Sequence, residues 1–275
     1  MKRTLKLVLY YFGYQILFTF VVMAIKVLAI AAQTGDINAI IEATSPGGGL
    51  AADPTVLSIG VLMAALMMLW HLYRFKYVST RTSYLKAENL PVLLLCIPFI
   101  YTLSYLTQLL SECINLPNLL EDNFIDMSNN VWGIISIAIV APILEECLFR
   151  GAIEKHLLQL WQRPWLAIVV SALVFGLVHM NPAQSVFAFF IGIVLGWLYW
   201  RTGSVIPSIV GHILNNSIAV ISMRRFGAEG SFEQLAGEGA QPYIIAAYAV
   251  ILLLSFYAIY RKTKRPCNLS ETENV

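Results

Sequence analysis

Apolar runs of about twenty residues recur along the whole chain, and nothing else in it limits the possible folds so tightly. They fall at about 7–31, 55–74, 90–110, 131–151, 165–181, 185–201, 204–223 and 242–260. In hydrocarbon every backbone N–H and C=O must find its partner within the chain, so such runs become helices. The expected fold is all-α, a polytopic membrane helix bundle with about eight transmembrane helices. Composition agrees, since 58% of the 275 residues are hydrophobic and 12% are charged. Ordinary soluble domains carry roughly 25% charged residues. Cys96, Cys113, Cys147 and Cys267 show no CxxC spacing, so neither a disulfide framework nor a zinc ribbon is expected. The run from Leu7 to Ala32 exceeds the ~7–15 residues of a signal-peptide core and reads as a first membrane helix.

Basic residues set the expected orientation. Lys2, Arg3 and Lys6 precede the first span. Arg74, Lys76, Arg81 and Lys86 follow the second. Arg150, Lys155 and Arg163 follow the fourth, Arg201 ends the sixth, and Arg261, Lys262, Lys264 and Arg265 close the last. With eight spans all of these share one side. The opposite loops hold Asp36, Glu42, Asp53, Glu112, Glu121, Asp122, Asp126, Glu229, Glu233 and Glu238. Both termini are therefore expected in the cytoplasm, in a cell membrane that the charge pattern suggests is a bacterial inner membrane. Three regions are expected: N-terminal helices with outer loops over 1–130, a core over 131–223, and a loop, last helix and tail over 224–275. Loop 33–54 carries Gly47-Gly48-Gly49. The stretch 115–130 reads as a short amphipathic helix on the outer surface. Cys267 is not four from the end, so the tail is no lipidation box.

Against this apolar background, Ile143-Leu144-Glu145-Glu146-Cys147-Leu148-Phe149-Arg150 stands out. A charge at the bilayer centre costs on the order of 3 kcal/mol on insertion scales, so two adjacent carboxylates there are a functional-site hypothesis by default. Glu146 and Arg150 are i and i+4, acid first, which suits a helix ion pair. Glu145 points about 100° away and is free to meet other helices as a general base for water. His71 and His156 read as interfacial residues. His179 and His212 lie inside spans and need partners. Phe175 shares a helix face with His179, as Asn216 does with His212, while Asn215 points away and reads as a packing residue. Gly192 and Gly196 form a Gly-x-x-x-Gly that lets another helix approach, for packing within the bundle or as a dimer face. Each histidine or asparagine alone could equally be an interhelical hydrogen bond.

Glu145-Glu146-x-x-x-Arg150, Phe175-x-x-x-His179 and His212-x-x-x-Asn216 together resemble the three motifs of the CPBP intramembrane proteases, the CAAX-protease and bacteriocin-processing (Abi) enzymes. Arg201-Thr202-Gly203-Ser204 before the third motif also fits. The resemblance covers roughly residues 131–220 and shows no departure at the motif positions. It implies an endopeptidase that hydrolyses a peptide bond in a membrane-associated peptide or protein. Glu145 would activate water, His179 would assist, and His212 with Asn216 would stabilise the oxyanion. Glu146, Arg150 and Phe175 would support them. Eukaryotic relatives trim prenylated proteins, and bacterial ones are linked to bacteriocin immunity and to processing of signalling peptides. The expected partners are membrane lipid and such a peptide, lipidated or not, and no nucleic acid.

Zinc is the open alternative. Glu145, His179 and His212 could supply three ligands, but the chain lacks a His-Glu-x-x-His pair on one helix. The metal-free glutamate mechanism is preferred. Two other functions compete with the peptidase: a proton-coupled transporter using the same buried Glu and His, and a catalytically silent membrane scaffold. One tension is geometric. The span limits put Glu145 about 8 Å from the inner end of its helix and His179 near the outer end of its own. Phe149, Ile153, Leu157 and Leu160 keep helical spacing, so the fourth helix is expected to continue past Arg150 and carry Glu145 outward.

Overall fold

The computed structural model describes residues 2–45, 49–50, 53–78, 90–114 (backbone alone for 111–113), 116–227, 237 and 239–263. Gly47, Gly48, Arg81, Lys86, Glu229, Glu233, Glu238, Lys264, Arg265, Cys267 and the tail 268–275 lie outside them, as do the side chains of Glu112 and Cys113. Among the described residues there is no strand. The long helices are α1 (Lys2–Thr34), α3 (Pro54–Arg74), α4 (Leu90–Ile114), α6 (Val131–Trp161), α8 (Pro182–Thr202), α9 (Ile206–Phe226) and α10 (Gln241–Lys262). Two short helices, α2 (Ile37–Thr44) and α5 (Glu121–Ser128), lie in the first and third connections. The remaining one, α7, runs from Pro164 to Leu177.

Seven of these helices are long and apolar enough to cross a membrane. The expected fifth span, 165–181, is present as a shorter apolar helix: α7 has 14 residues, so the fold is consistent with about eight passes, seven of them long. Pro164 starts it at a position that needs no N–H. Past its end, Met180 takes a left-handed φ of 52° and the chain reverses into Pro182. The α5 helix agrees with the short helix expected in 115–130, burying Met127 and Ser128.

The expected continuation of the fourth helix is present, and it removes the depth tension. The α6 helix has 31 residues. Glu145 therefore sits about 21 Å from its Val131 end and about 24 Å from its Trp161 end. The α7 helix climbs back from that second end for about 21 Å. A short α7 thus brings His179 to the level of Glu145.

Small residues set how α7 and α8 pack. A Cβ on Gly176 would lie 2.6 Å from the Ser185 carbonyl oxygen, and one on Gly192 would lie 3.2 Å from Ala172 Cβ. Trp165 and Trp200 pair with ring centroids 6.0 Å apart at the far end of the same interface. Gly192 and Gly196 therefore serve packing within the bundle, on α7 and α6. At that same end α8 also holds α10. The buried Arg201 donates from Nε to Thr263 Oγ1 at 3.1 Å and from Nη2 to the Tyr260 carbonyl at 2.8 Å, and it also reaches the Thr263 carbonyl. Its guanidinium lies 4.6 Å from the Tyr260 ring centroid. These bonds satisfy carbonyls that the end of a helix leaves without partners. The α1 and α10 helices expose most of their apolar side chains, Phe20, Leu28, Leu253 and Leu254 among them, as peripheral membrane helices do.

Candidate active site

Within α6 the ladder is not uniform. It widens into π-type turns at Ser136–Val140 and again at Cys147–Glu154, on either side of the glutamates. Such widenings are frequent at functional sites. Pro142 explains the first one's chemistry. In a π turn a carbonyl pairs with the N–H five residues on, and Pro142 has none to give to Ile137. Asn216 Nδ2 supplies the missing donor to the Ile137 carbonyl at 2.9 Å.

The second motif residue, Glu146, is fully buried at 0% exposure, as is Arg150. Its Oε1 accepts from Arg150 Nη1 at 2.9 Å, which is the ion pair that the spacing predicts. The same oxygen lies 2.8 Å from His212 Nδ1. A carboxylate oxygen already taking one hydrogen bond can only accept, so the His212 proton sits on Nδ1. Arg150 Nη2 donates to the Gly192 carbonyl at 2.9 Å. Glu146 is thus more than a charge partner, since it fixes the tautomer and ring orientation of His212. The i, i+4 spacing could not show that link, because it joins α6 to α9.

Glu145 turns the other way, as expected. Its Oε2 lies 3.7 Å from His212 Nε2. That is too long for a hydrogen bond. With the His212 proton on Nδ1, its Nε2 presents a lone pair to this carboxylate. Two acceptors so placed call for a proton or a water between them. A water about 2.8 Å from each would fit at the apex, donating one hydrogen to each.

His179 follows the end of α7. Its Nδ1 lies 2.8 Å from the Phe175 carbonyl, which can only accept, so Nδ1 carries the proton and Nε2 is left as an acceptor. The ring of Phe175 is the hub between the motifs. Its centroid lies 5.0 Å from that of His179 and 5.7 Å from that of His212, edge-on to both, and 5.0 Å from that of Phe149. The Arg150 guanidinium carbon sits 4.6 Å from its centroid, a cation–π contact. Phe175 therefore spaces both histidines.

The two asparagines have different partners. Asn215 is buried, accepts from Ser104 Oγ of α4 at 2.6 Å and donates to Asn216 Oδ1 at 3.1 Å. Asn216 has one N–H on Ile137 and one remaining for a ligand. Of the seven residues singled out, Glu145, Glu146, Arg150, Phe175 and His212 are linked by successive contacts. His179 joins through Phe175, and Asn216 through the carbonyl of Ile137. Among the described residues no three His, Cys, Asp or Glu side chains are arranged to hold a metal ion, Glu145, His179 and His212 included.

Two buried polar residues were missed from sequence. Asn181 is 0% exposed; it accepts from the Leu119 N–H at 3.0 Å and donates to Asn118 Oδ1 at 2.7 Å, tying the turn after His179 to the third connection. Its place before Pro182 was the available signal. Glu154 is also 0% exposed and follows Arg150 by the same four residues that separate Arg150 from Glu146.

Residues 127–218 match the family model described as type II CAAX prenyl endopeptidase Rce1-like. Over 93 residues the chain is 29% identical to UPF0177 protein YbdI of Lactococcus lactis subsp. lactis, covering 33% of this chain and 49% of that protein. Over 88 residues it is 33% identical to the Bacillus subtilis protein named "Putative membrane peptidase YdiL", covering 32% of this chain and 36% of that one. The chain thus matches about half and about a third of the length of these curated relatives. No solved structure matches it at comparable strength.

Proposed function

We propose that this chain, whose residues 127–218 match the Rce1-like family model, is an intramembrane endopeptidase of the CPBP type that hydrolyses a peptide bond in a membrane-associated peptide or protein with water activated by Glu145. The observation that carries the reading is the gap of 3.7 Å between Glu145 Oε2 and His212 Nε2, with His212 held from behind by Glu146. With Glu146 holding the Nδ1–H of His212, its Nε2 and the Glu145 carboxylate face the same point, where a water can give one hydrogen to each and its proton to Glu145.

Glu145 takes a proton from the water, and the water oxygen bonds to the scissile carbonyl carbon. The carbonyl π pair moves to its oxygen. The remaining N–H of Asn216 would donate to that oxyanion, and His212 would join it after taking the proton from Glu145 on its Nε2, 3.7 Å from that carboxylate. As the C–N bond breaks, the proton passes to the leaving nitrogen. One water is consumed, giving a new carboxyl and a new amine. His179, in contact with the Phe175 ring, would assist. The basic residues support cytoplasmic termini, and the position of Glu145 midway along a membrane helix supports a membrane-associated peptide as substrate.

The test is cleavage of membrane-anchored peptides by the purified chain in proteoliposomes, with heavy-oxygen water as solvent. Hydrolysis predicts one heavy oxygen in each new carboxyl terminus and loss of cleavage in His179→Ala. Proton-gradient-driven uptake of a solute without any cleavage would contradict it.

A further inference from the structure

Glu146, Arg150 and Glu154 stand four residues apart along α6, and all three are fully buried. The donors available to the two carboxylates are divided very unequally. Glu146 Oε1 accepts from both Arg150 and His212. Neither oxygen of Glu154 has a hydrogen-bond partner, and the Nε of Arg150 is also without one. The neighbouring helices add no counter-charge. The carboxylate lies in a cradle made by Gly196 of α8, where a Cβ would come 2.6 Å from Glu154 Oε2, and Ile168 of α7 stands beside the same glycine. The charged groups that act on Glu154 are Arg150, attractively, and Glu146, repulsively.

A row of two carboxylates and one guanidinium inside a membrane helix is neutral only if it holds one proton. Hydrogen bonds to an ionised carboxylate stabilise its charge, and a carboxylate without them in apolar surroundings is far better off neutral. The donors are all at Glu146. We propose that Glu154 holds the proton of this row, and that it acts on the candidate active site through Arg150. While Glu154 is neutral, Arg150 stays committed to Glu146, and Glu146 to His212. When Glu154 loses its proton, two carboxylates compete for one guanidinium from positions i−4 and i+4. Arg150 then swings its unpartnered Nε side toward Glu154, and the hold on His212 loosens. Glu154 is in this account a positioning residue.

Two measurements test it, and they separate this proposal from the peptidase reading on which its second arm rests. The first needs no substrate: the infrared difference spectrum of wild type minus Glu154→Gln in detergent at neutral pH. The expected result is a carbonyl-stretch band of a protonated carboxyl that belongs to Glu154. A carboxylate band in that difference overturns the proposal. Should Glu154→Gln fail to fold, Gly196→Ala intrudes on the same carboxyl from α8 and is expected to shift that band; an unmoved band overturns the proposal equally. The second is the pH profile of kcat/KM for peptide cleavage. Wild type should lose activity at high pH as Glu154 ionises, and Glu154→Gln should move that limb upward by about one pH unit or more. Coincident basic limbs overturn the proposal.

Discussion

His212 reaches from α9 to place its Nδ1 2.8 Å from Oε1 of Glu146 on α6. That one oxygen also receives Arg150. Removing the side chain therefore strands a buried guanidinium and frees a histidine at once. Breaking a buried pair by deleting one partner costs about 3–5 kcal/mol. Glu146→Ala is expected to lose stability of that order in thermal unfolding in detergent. Glu146→Gln keeps an acceptor for His212 and should lose less. A loss under about 1 kcal/mol in Glu146→Ala would place the pair among weak surface contacts.

Gly176, in the second motif, faces the Ser185 carbonyl of α8 so closely that any Cβ must push the backbone away. Overpacking of this kind costs typically about 1–3 kcal/mol. Gly176→Ala should lower the unfolding temperature, and because His179 lies three residues on, it should also lower cleavage per folded molecule. Gly13, around which an added Cβ meets nothing within 4 Å, is the matched control. Gly13→Ala should change neither.

Arg201 holds the end of α10 from α8 and has no part in the proposed chemistry. Charged hydrogen bonds are worth about 1.5–3 kcal/mol each when lost from buried positions. Arg201→Ala should speed amide exchange around Ile259–Thr263 and lower stability while leaving the kcat of the folded fraction intact. A collapse of kcat at full stability would bring Arg201 into the site.

Asp53 caps α3, accepting from the N–H groups of Thr55 at 2.7 Å and Val56 at 3.0 Å and pairing with Lys26 Nζ at 2.9 Å. Partial burial works to raise its pKa, but the hydrogen bond from Lys26 and those from Val56 and Thr55 outweigh it and hold the carboxyl below the ordinary range. The stability this adds is present in full above the unfolded carboxyl pKa of about 3.9 and is lost as pH falls through the lower folded value. The difference in unfolding temperature between wild type and Asp53→Asn should therefore be constant from neutral pH down to about pH 5 and shrink below it. A difference that grows on acidification would reverse the assignment.

Much of this molecule was legible in its residues, because a membrane leaves a chain few choices. Seven long helices fall where the apolar runs place them, and the division of Glu145 from Glu146 followed from helical spacing alone. What spacing cannot carry is contact between helices. The link from Glu146 to His212 joins residues 66 apart in the chain, and Phe175 as the spacer of two histidines exists only once α7 and α9 are packed. The short α7 was hidden because the apolar run continues through Val178, although the helix stops at Leu177 and the chain turns through Met180. Glu154 escaped notice for a different reason. A glutamate near a basic connection reads as solvated, and only the bare flank of Gly196 shows that it is buried.

The central claim is that Glu145 is the base for the attacking water. The measurement that bears on it most directly is the rate of peptide cleavage by Glu145→Gln in proteoliposomes, beside its unfolding temperature. Loss of a positioned general base typically costs about 100-fold or more in rate. The account predicts at least that loss with the unfolding temperature unchanged. Cleavage at the wild-type rate by folded Glu145→Gln would contradict it.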